Sequence, residues 1–355
     1  MLQHPFSLMQ MGGYHKLWKG VVFNMKIGFI GLGRMGRGAC ENFVKKGHDV
    51  AVYDVSADAM EYFRGKAELA FNPADLFERS EAVLLSLPSS VQVEAMCDTF
   101  LSCGVKDKIV IDLSTSYPLS TKKLHEAFKK HGGILLDAPL MGNPDMAAAG
   151  TISVTVGGDE ADFQAARPIF EVFTSRADYI GEAGSGHLVK LALNFTGLMY
   201  AVTYSQMFPL MEKLGLDTQK LFDIICEQKT NCGVFQFYGQ KVKDRDYRMD
   251  FALAFGLKDL GYVKRLYEDL NCPAFALDGA LDLLRTGLKD GRGGHDFSEA
   301  AAVMRDYLEL CAVPCKIVPE IRWWAMGLTA RKKAYPAERC TPCNVWNVTG
   351  QIKVF

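Results

Sequence analysis

Six consecutive residues constrain this chain more than any others: Gly31-Leu32-Gly33-Arg34-Met35-Gly36. They follow the apolar run Ile27-Gly28-Phe29-Ile30 at once, and Gly38 to Lys46 then reads as a helix ended by Gly47. Glycines are common in turns, so the spacing alone is weak; between a strand and a helix it has a mechanism. Gly31 permits the tight turn, Gly33 lets the backbone approach a pyrophosphate, and Gly36 lets helix and strand pack closely. The helix start offers amides and a partial positive charge to phosphates. Leu32, Arg34 and Met35 complete the turn and are expected beside the same cofactor. Asp54 lies 21 residues after Gly33, at the end of a second strand, Val50 to Tyr53. A carboxylate there accepts hydrogen bonds from an adenine ribose and repels a 2′-phosphate, which favours NAD over NADP. The competing reading is an Asp that caps the turn before Ser56.

Further strands are expected at Val83 to Leu87, Ile109 to Leu113 and Ile134 to Asp137, with helices at Ala59 to Arg64 and Ser120 to Lys130. Strands alternating with helices imply an α/β Rossmann domain built on a doubly wound parallel sheet. Thr151 to Val156 reads as a later strand. Ligands of open α/β sheets sit outside the carboxyl ends of the strands. Leu87 and Pro88, after one strand, and Ser114 and Thr115, after the next, therefore join the cofactor-side candidates. Each loop also fits an ordinary cap on the helix that follows.

Beyond Gly186 the pattern becomes helical: His187 to Leu214, Thr218 to Gln228, Phe255 to Leu270, Phe275 to Gly287 and Ser298 to Leu310. The expected organisation is an extension over 1–24, an NAD-binding domain over 25–186, an all-α domain over 187–310 and a tail over 311–355. The first of these helices carries Lys190 and Asn194, four residues apart and so on one face. An amine close to a bound nicotinamide is the group that moves a proton while the cofactor moves a hydride. The pair points to an oxidoreductase.

Bulk properties narrow the alternatives. A chain of 355 residues has room for two cores. With 40 basic and 41 acidic residues, net charge −1, it carries no electrostatic footprint for nucleic acid or an acidic membrane. No run approaches 18 uninterrupted apolar residues, so no membrane span is expected. The ten cysteines are scattered, which suggests reduced thiols in the cytoplasm. The segment 1–24 contains no Arg and one Ser, a poor transit peptide; an internal start at Met25 is the plainer reading. Cys340 and Cys343, with Cys311 and Cys315, have irregular spacing and no His nearby, so no metal is expected. The tail reads as a docking arm or a disordered end. His187, His295 and Cys232 stand in no metal-ligand spacing, and His187 is expected at the cofactor cleft or in solvent.

Several ordered segments resemble the β-hydroxyacid dehydrogenase family, whose members include 3-hydroxyisobutyrate dehydrogenase and tartronate semialdehyde reductase. They are Ile27 to Gly36, Asp112-Leu-Ser-Thr115, Asp137-Ala-Pro-Leu-Met-Gly142, Gly150-Thr151 to Gly157-Gly158, Gly184-Ser-Gly186 through Asn194, Lys258-Asp259-Leu260 and Asp296-Phe297-Ser298. Together they span about residues 25–310, or 286 of 355. The resemblance implies a homodimer or homotetramer acting on a small anionic hydroxy acid or semialdehyde. It implies Lys190 as general acid or base, and Asn194 as a hold on the substrate or on Lys190. It also implies Gly186 as room for the substrate, Lys258 as a reach back to the cofactor, and Asp259 as support or a local cap.

One departure affects the substrate. The family commonly carries Ser-Gly-Gly where this chain has Met141-Gly142-Asn143-Pro144. Gly142 keeps the close backbone approach, but the hydroxyl is gone, and Pro144 removes a backbone N–H. Asn143 is expected to take over anion contact, for a sulfonate or a larger carboxylate, with Asn231 on the far side of the pocket. Three readings compete: an NAD-dependent hydroxyacid dehydrogenase, an imine reductase-like enzyme, and a non-catalytic binding module on the nucleotide fold. Lys190 counts against the last two.

Overall fold

A computed structural model describes residues 25–310. The extension over 1–24, the tail over 311–355 and the cysteines 311, 315, 340 and 343 lie outside the described residues. Nine strands, among the described residues, form one sheet: β1 Ile27–Ile30, β2 Val50–Tyr53, β3 Glu68–Leu69, β4 Ala82–Leu85, β5 Ile109–Asp112, β6 Ile134–Asp137, β7 Leu140–Met141, β8 Ile152–Gly157 and β9 Thr174–Gly181. Their order is β3-β2-β1-β4-β5-β6-β8-β7, with β9 on β8. The first six run parallel. The sheet is not parallel throughout as expected, because β8 runs antiparallel to β6 and β7. Only the helix α6, Pro144–Ala149, separates β7 from β8, too short a connection for a parallel crossover.

Helices cover both faces. On one side α1, Arg34–Lys45, and α7, Glu160–Phe173, bring Phe43, Phe170 and Phe173 against the sheet. On the other, α3, Pro73–Arg79, α4, Ser90–Cys103, and α5, Pro118–Lys130, bring Phe77, Phe100 and Phe128. The remaining helix here, α2, is Ala57–Tyr62. With both faces covered, β1, β4 and β5 are buried at every residue, which is why they read as unbroken apolar runs.

After Gly181 the chain leaves the sheet. Helix α8, Ser185–Lys213, has 29 residues and spans about 43 Å at 1.5 Å per residue. Its first turn packs on the sheet. Its middle joins α11, Leu253–Asp269, α12, Leu277–Lys289, and α13, Ala300–Tyr307, around Leu198, Leu260, Leu281 and Phe297. Helices α9, Thr218–Cys226, and α10, Gln240–Asp244, close a smaller core on Phe208 and Phe235. No helix among the described residues is long and apolar enough to cross a membrane.

The glycine turn sets how closely α1 meets the sheet. A Cβ on Gly36 would stand 2.0 Å from the Gly31 carbonyl oxygen and 2.9 Å from Ser86 Cβ. Gly36→Ala therefore forces the helix start off the strand. Overpacking of this kind should destabilise by about 1–3 kcal/mol, read as a lower urea midpoint at unchanged slope. An unchanged midpoint would show that the turn yields without cost.

Candidate active site

At the carboxyl end of β1 the backbone turns at Gly31, whose φ is +93° and whose Cβ would meet Ser86 O at 2.1 Å. Gly33 differs: a methyl there would meet nothing within 4 Å. It is the N-cap of α1 and offers no side chain to the first-turn amides. Open space over an uncapped helix start suits a pyrophosphate, and on that observation a dinucleotide fits. Leu32 donates its backbone N–H to Asp54 Oδ2 at 2.6 Å, and Ser56 N donates to Oδ1 at 2.7 Å. Asp54 thus stiffens the turn while standing half-buried at the end of β2, and its contact with Ser56 N is the one expected of a cap. Met35 packs half-buried on the sheet core. Arg34 reaches across to the all-α part, Nη1 donating to Met249 O at 2.9 Å.

The loops after β4 and β5 are joined to each other. Ser114 is buried, and its Oγ accepts from Leu87 N at 2.9 Å. The Ser114 oxygen thus holds the neighbouring loop as an acceptor, and its O–H remains to donate. Lys258, from α11, donates to Pro88 O at 3.0 Å and to Thr115 O at 2.9 Å. One ammonium therefore spans both loops.

Helix α8 starts with Gly184 in a left-handed conformation, φ 88°, and lacks a side-chain cap of its own. The end of β6 supplies one: Asp137 Oδ1 accepts from Gly184 N at 2.7 Å and Oδ2 from His187 N at 2.9 Å. An anion at a helix start also meets its partial positive charge. Gly186 packs tightly here: its Cβ would strike Thr155 O at 2.3 Å and Asp137 Oδ2 at 2.9 Å, so the sheet excludes any side chain at this position.

Lys190 follows one turn later. Its Nζ donates to Leu140 O at 2.9 Å, at the end of the β6–β7 turn. Part of its surface stays open while the amine is densely enclosed. Burial pushes its pKa below the ordinary lysine value; Asp259 pushes it back up, and Lys258 adds to the lowering. Asp259 is buried, and Oδ2 accepts from Asn194 Nδ2 at 2.6 Å. Its Oδ1 lies 3.1 Å from Lys258 Nζ, an ion contact out of line for a hydrogen bond. Asn194 is thus directed at Asp259. Lys190, Asn194, Asp259 and Lys258 make one cluster, and Asp259 is the member that sequence reasoning undervalued.

The substrate-side candidates divide. Met141 and Gly142, φ +145°, lie directly after Leu140, whose carbonyl holds Lys190. Asn143 commits Oδ1 to capping α6 through Met146 N at 3.0 Å, which leaves its NH2 group for an anion. Asn231 is not brought to this cluster by any of its hydrogen bonds. Its partners are local, Cys226 O at 2.7 Å and Gln236 Nε2 at 3.3 Å. His187, expected at the cleft or in solvent, is fully buried. Among the described residues no group of His, Cys, Asp and Glu could hold a metal ion.

A dinucleotide cradle beside an enclosed lysine defines an NAD(P)-dependent oxidoreductase acting on CH–OH groups. Known proteins agree. Residues 26–181 match the family described as the NAD binding domain of 6-phosphogluconate dehydrogenase, and residues 184–304 the NAD-binding family of NADP-dependent 3-hydroxyisobutyrate dehydrogenase. A probable 3-hydroxyisobutyrate dehydrogenase of Mycobacterium bovis is 31% identical over 243 residues, 66% of this chain and 83% of that protein. The mitochondrial 3-hydroxyisobutyrate dehydrogenase of Drosophila melanogaster is 29% identical over 288 residues, 79% of this chain and 89% of that protein. The solved 3-hydroxyisobutyrate dehydrogenase of Mycobacterium tuberculosis with L-serine superposes with a TM-score of 0.72 at 27% identity, covering 80% of this chain and 100% of that one. The chain belongs to the β-hydroxyacid dehydrogenase family.

The charges around Lys190 give a signed expectation. Asp259 raises the lysine pKa, so Asp259→Asn should lower it further. An amine that takes the proton of an alcohol must be neutral, so with Lys190 in that role oxidation would rise with pH through its pKa. The limb of kcat/KM against pH should therefore move to lower pH in the variant; an unmoved or alkaline-shifted limb would separate Asp259 from Lys190.

Proposed function

We propose that the enzyme interconverts a small β-hydroxy acid, or a related hydroxy-sulfonate, and its aldehyde or semialdehyde, with Lys190 as general acid and base. The observation that carries this reading is the enclosed Lys190 amine, fixed by Leu140 O and facing the Asn194–Asp259 pair. A nicotinamide dinucleotide, when bound, supplies or accepts the hydride. In reduction the Lys190 ammonium releases its proton to the oxygen that becomes the alcohol. In oxidation the neutral amine takes the hydroxyl proton. A free lysine near pKa ~10.4 is a poor base at neutral pH, and the lowering by burial brings this one nearer its task. The Met141-Gly142-Asn143 turn, adjoining Leu140, is our site for the substrate anion.

Asp54 supports NAD as the preferred cofactor, since its carboxylate stands where a 2′-phosphate would add like charge. The imine reductase reading and the non-catalytic module find no feature that favours them while Lys190 is in place. A homodimer or homotetramer is supported by α8, which leaves Leu193, Tyr200 and Leu210 exposed along its length. The six free cysteines among the described residues support a reducing compartment, the cytoplasm in our reading.

Lys190→Met tests the proposal. Turnover of a small hydroxy-acid panel should fall by about 10²–10⁴-fold while NADH affinity stays near that of the parent. In the same assay the parent should show a lower kcat/KM with NADP+ than with NAD+. A methionine variant that turns over at the parent rate would end the assignment, and equal cofactor efficiencies would end the role given to Asp54.

A further inference from the structure

The first turn of α8 buries a group that the proton transfer does not use. His187 is fully buried, three residues before Lys190, and its ring lies between two buried carboxylates. Asp112 and Asp137 end the adjacent parallel strands β5 and β6 and stand opposite each other in register. Like charges so placed repel, and burial removes the water that would screen them. His187 Nε2 lies 3.6 Å from Asp112 Oδ2 and has no hydrogen-bond partner. Nδ1 lies 2.9 Å from Thr121 Oγ1 and 3.8 Å from Asp137 Oδ2.

The two carboxylates organise the two halves of the site. Asp112 accepts from Ser114 N at 2.9 Å and Ser116 Oγ at 2.6 Å, and so shapes the loop whose Thr115 carbonyl receives Lys258. Asp137 caps α8 and begins the turn whose Leu140 carbonyl receives Lys190. A buried ring nitrogen with no hydrogen-bond partner, beside a buried carboxylate, is matched to that carboxylate by its need for a partner.

We propose that His187 is a positioning residue that carries a proton on Nε2 toward Asp112 and thereby locks the catalytic helix to the cofactor-side loop. It touches no reacting atom. Its effect on turnover passes through the placement of Lys190, so this inference rests on the proton-transfer role proposed for that lysine. Thr121 completes the arrangement at Nδ1: its hydroxyl lies 3.3 Å from Tyr117 O and 2.9 Å from the ring, and in this arrangement it donates to Nδ1.

Two amide substitutions separate this role from mere packing. Gln places its amide nitrogen near the Nε2 position and Asn near the Nδ1 position. His187→Gln should keep kcat close to that of the parent, and His187→Asn should lower it about 10- to 100-fold at similar Tm and similar substrate KM. Equal losses in the two variants, losses that follow Tm, or no loss in either would overturn the proposal. Should a variant fail to fold, ¹⁵N-histidine spectra of the intact enzyme still decide. His125, the other buried histidine among the described residues, faces Leu135 O with Nδ1 at 2.9 Å and must carry a proton there, because a carbonyl only accepts. One buried ring protonated at Nδ1 and one at Nε2 is the expected pair; two rings protonated at Nδ1 alone would overturn it. The spectra do not depend on how Lys190→Met behaves, so a failure here and a failure of the proposed function are distinguishable.

Discussion

The Asp137 carboxylate is the contact on which the site depends. It ends β6, satisfies two first-turn amides of α8 and lies against Gly186, so it joins the sheet to the helix that carries Lys190. Capping is commonly worth about 0.5–2 kcal/mol, and here it also fixes position. Helix α8 has no cap of its own, and its start is set by a strand rather than by a loop. A catalytic side chain held between rigid elements is placed more accurately than one on a mobile turn.

From that anchor the site is an arrangement of charge. Burial lowers the Lys190 pKa, Asp259 limits the lowering, and Asn194 ties Asp259 to the same helix. Lys258 answers Asp259 from one side and the carbonyls of Pro88 and Thr115 from the other. The loops after β4 and β5 and the helix that carries Lys190 therefore share α11 as a common brace. Arg34 adds a second bridge from the glycine turn to Met249.

Short-range spacing made much of this legible in the sequence. The glycines of the turn are six residues or fewer apart, and Lys190 and Asn194 share one helix face, so local geometry alone identifies them. What stayed hidden depends on partners far away. Asp137 meets α8 across 47 and 50 residues, and Asp259 meets Asn194 across 65. A lone acidic residue in a strand or helix gives no hint of either. His187 read as an ordinary polar residue at a helix start, because its burial is decided by α5 and by the ends of β5 and β6. The close packing of Gly186 against Thr155 and Asp137 is likewise decided by residues 31 and 49 positions away. Strand β9 escaped detection because it is a largely uncovered edge without clean alternation, and α7 because Pro168 interrupts its pattern.

In the function proposed above, enclosure rather than sequence position makes Lys190 a usable acid and base. Its titration can be read directly by labelling the folded enzyme with an acylating reagent across pH and following each lysine by mass spectrometry. The Lys190 amine should become reactive at lower pH than the exposed Lys129, whose contact with Asp159 holds it above the ordinary lysine value. A Lys190 that becomes reactive together with Lys129, or only above it, would overturn that reading.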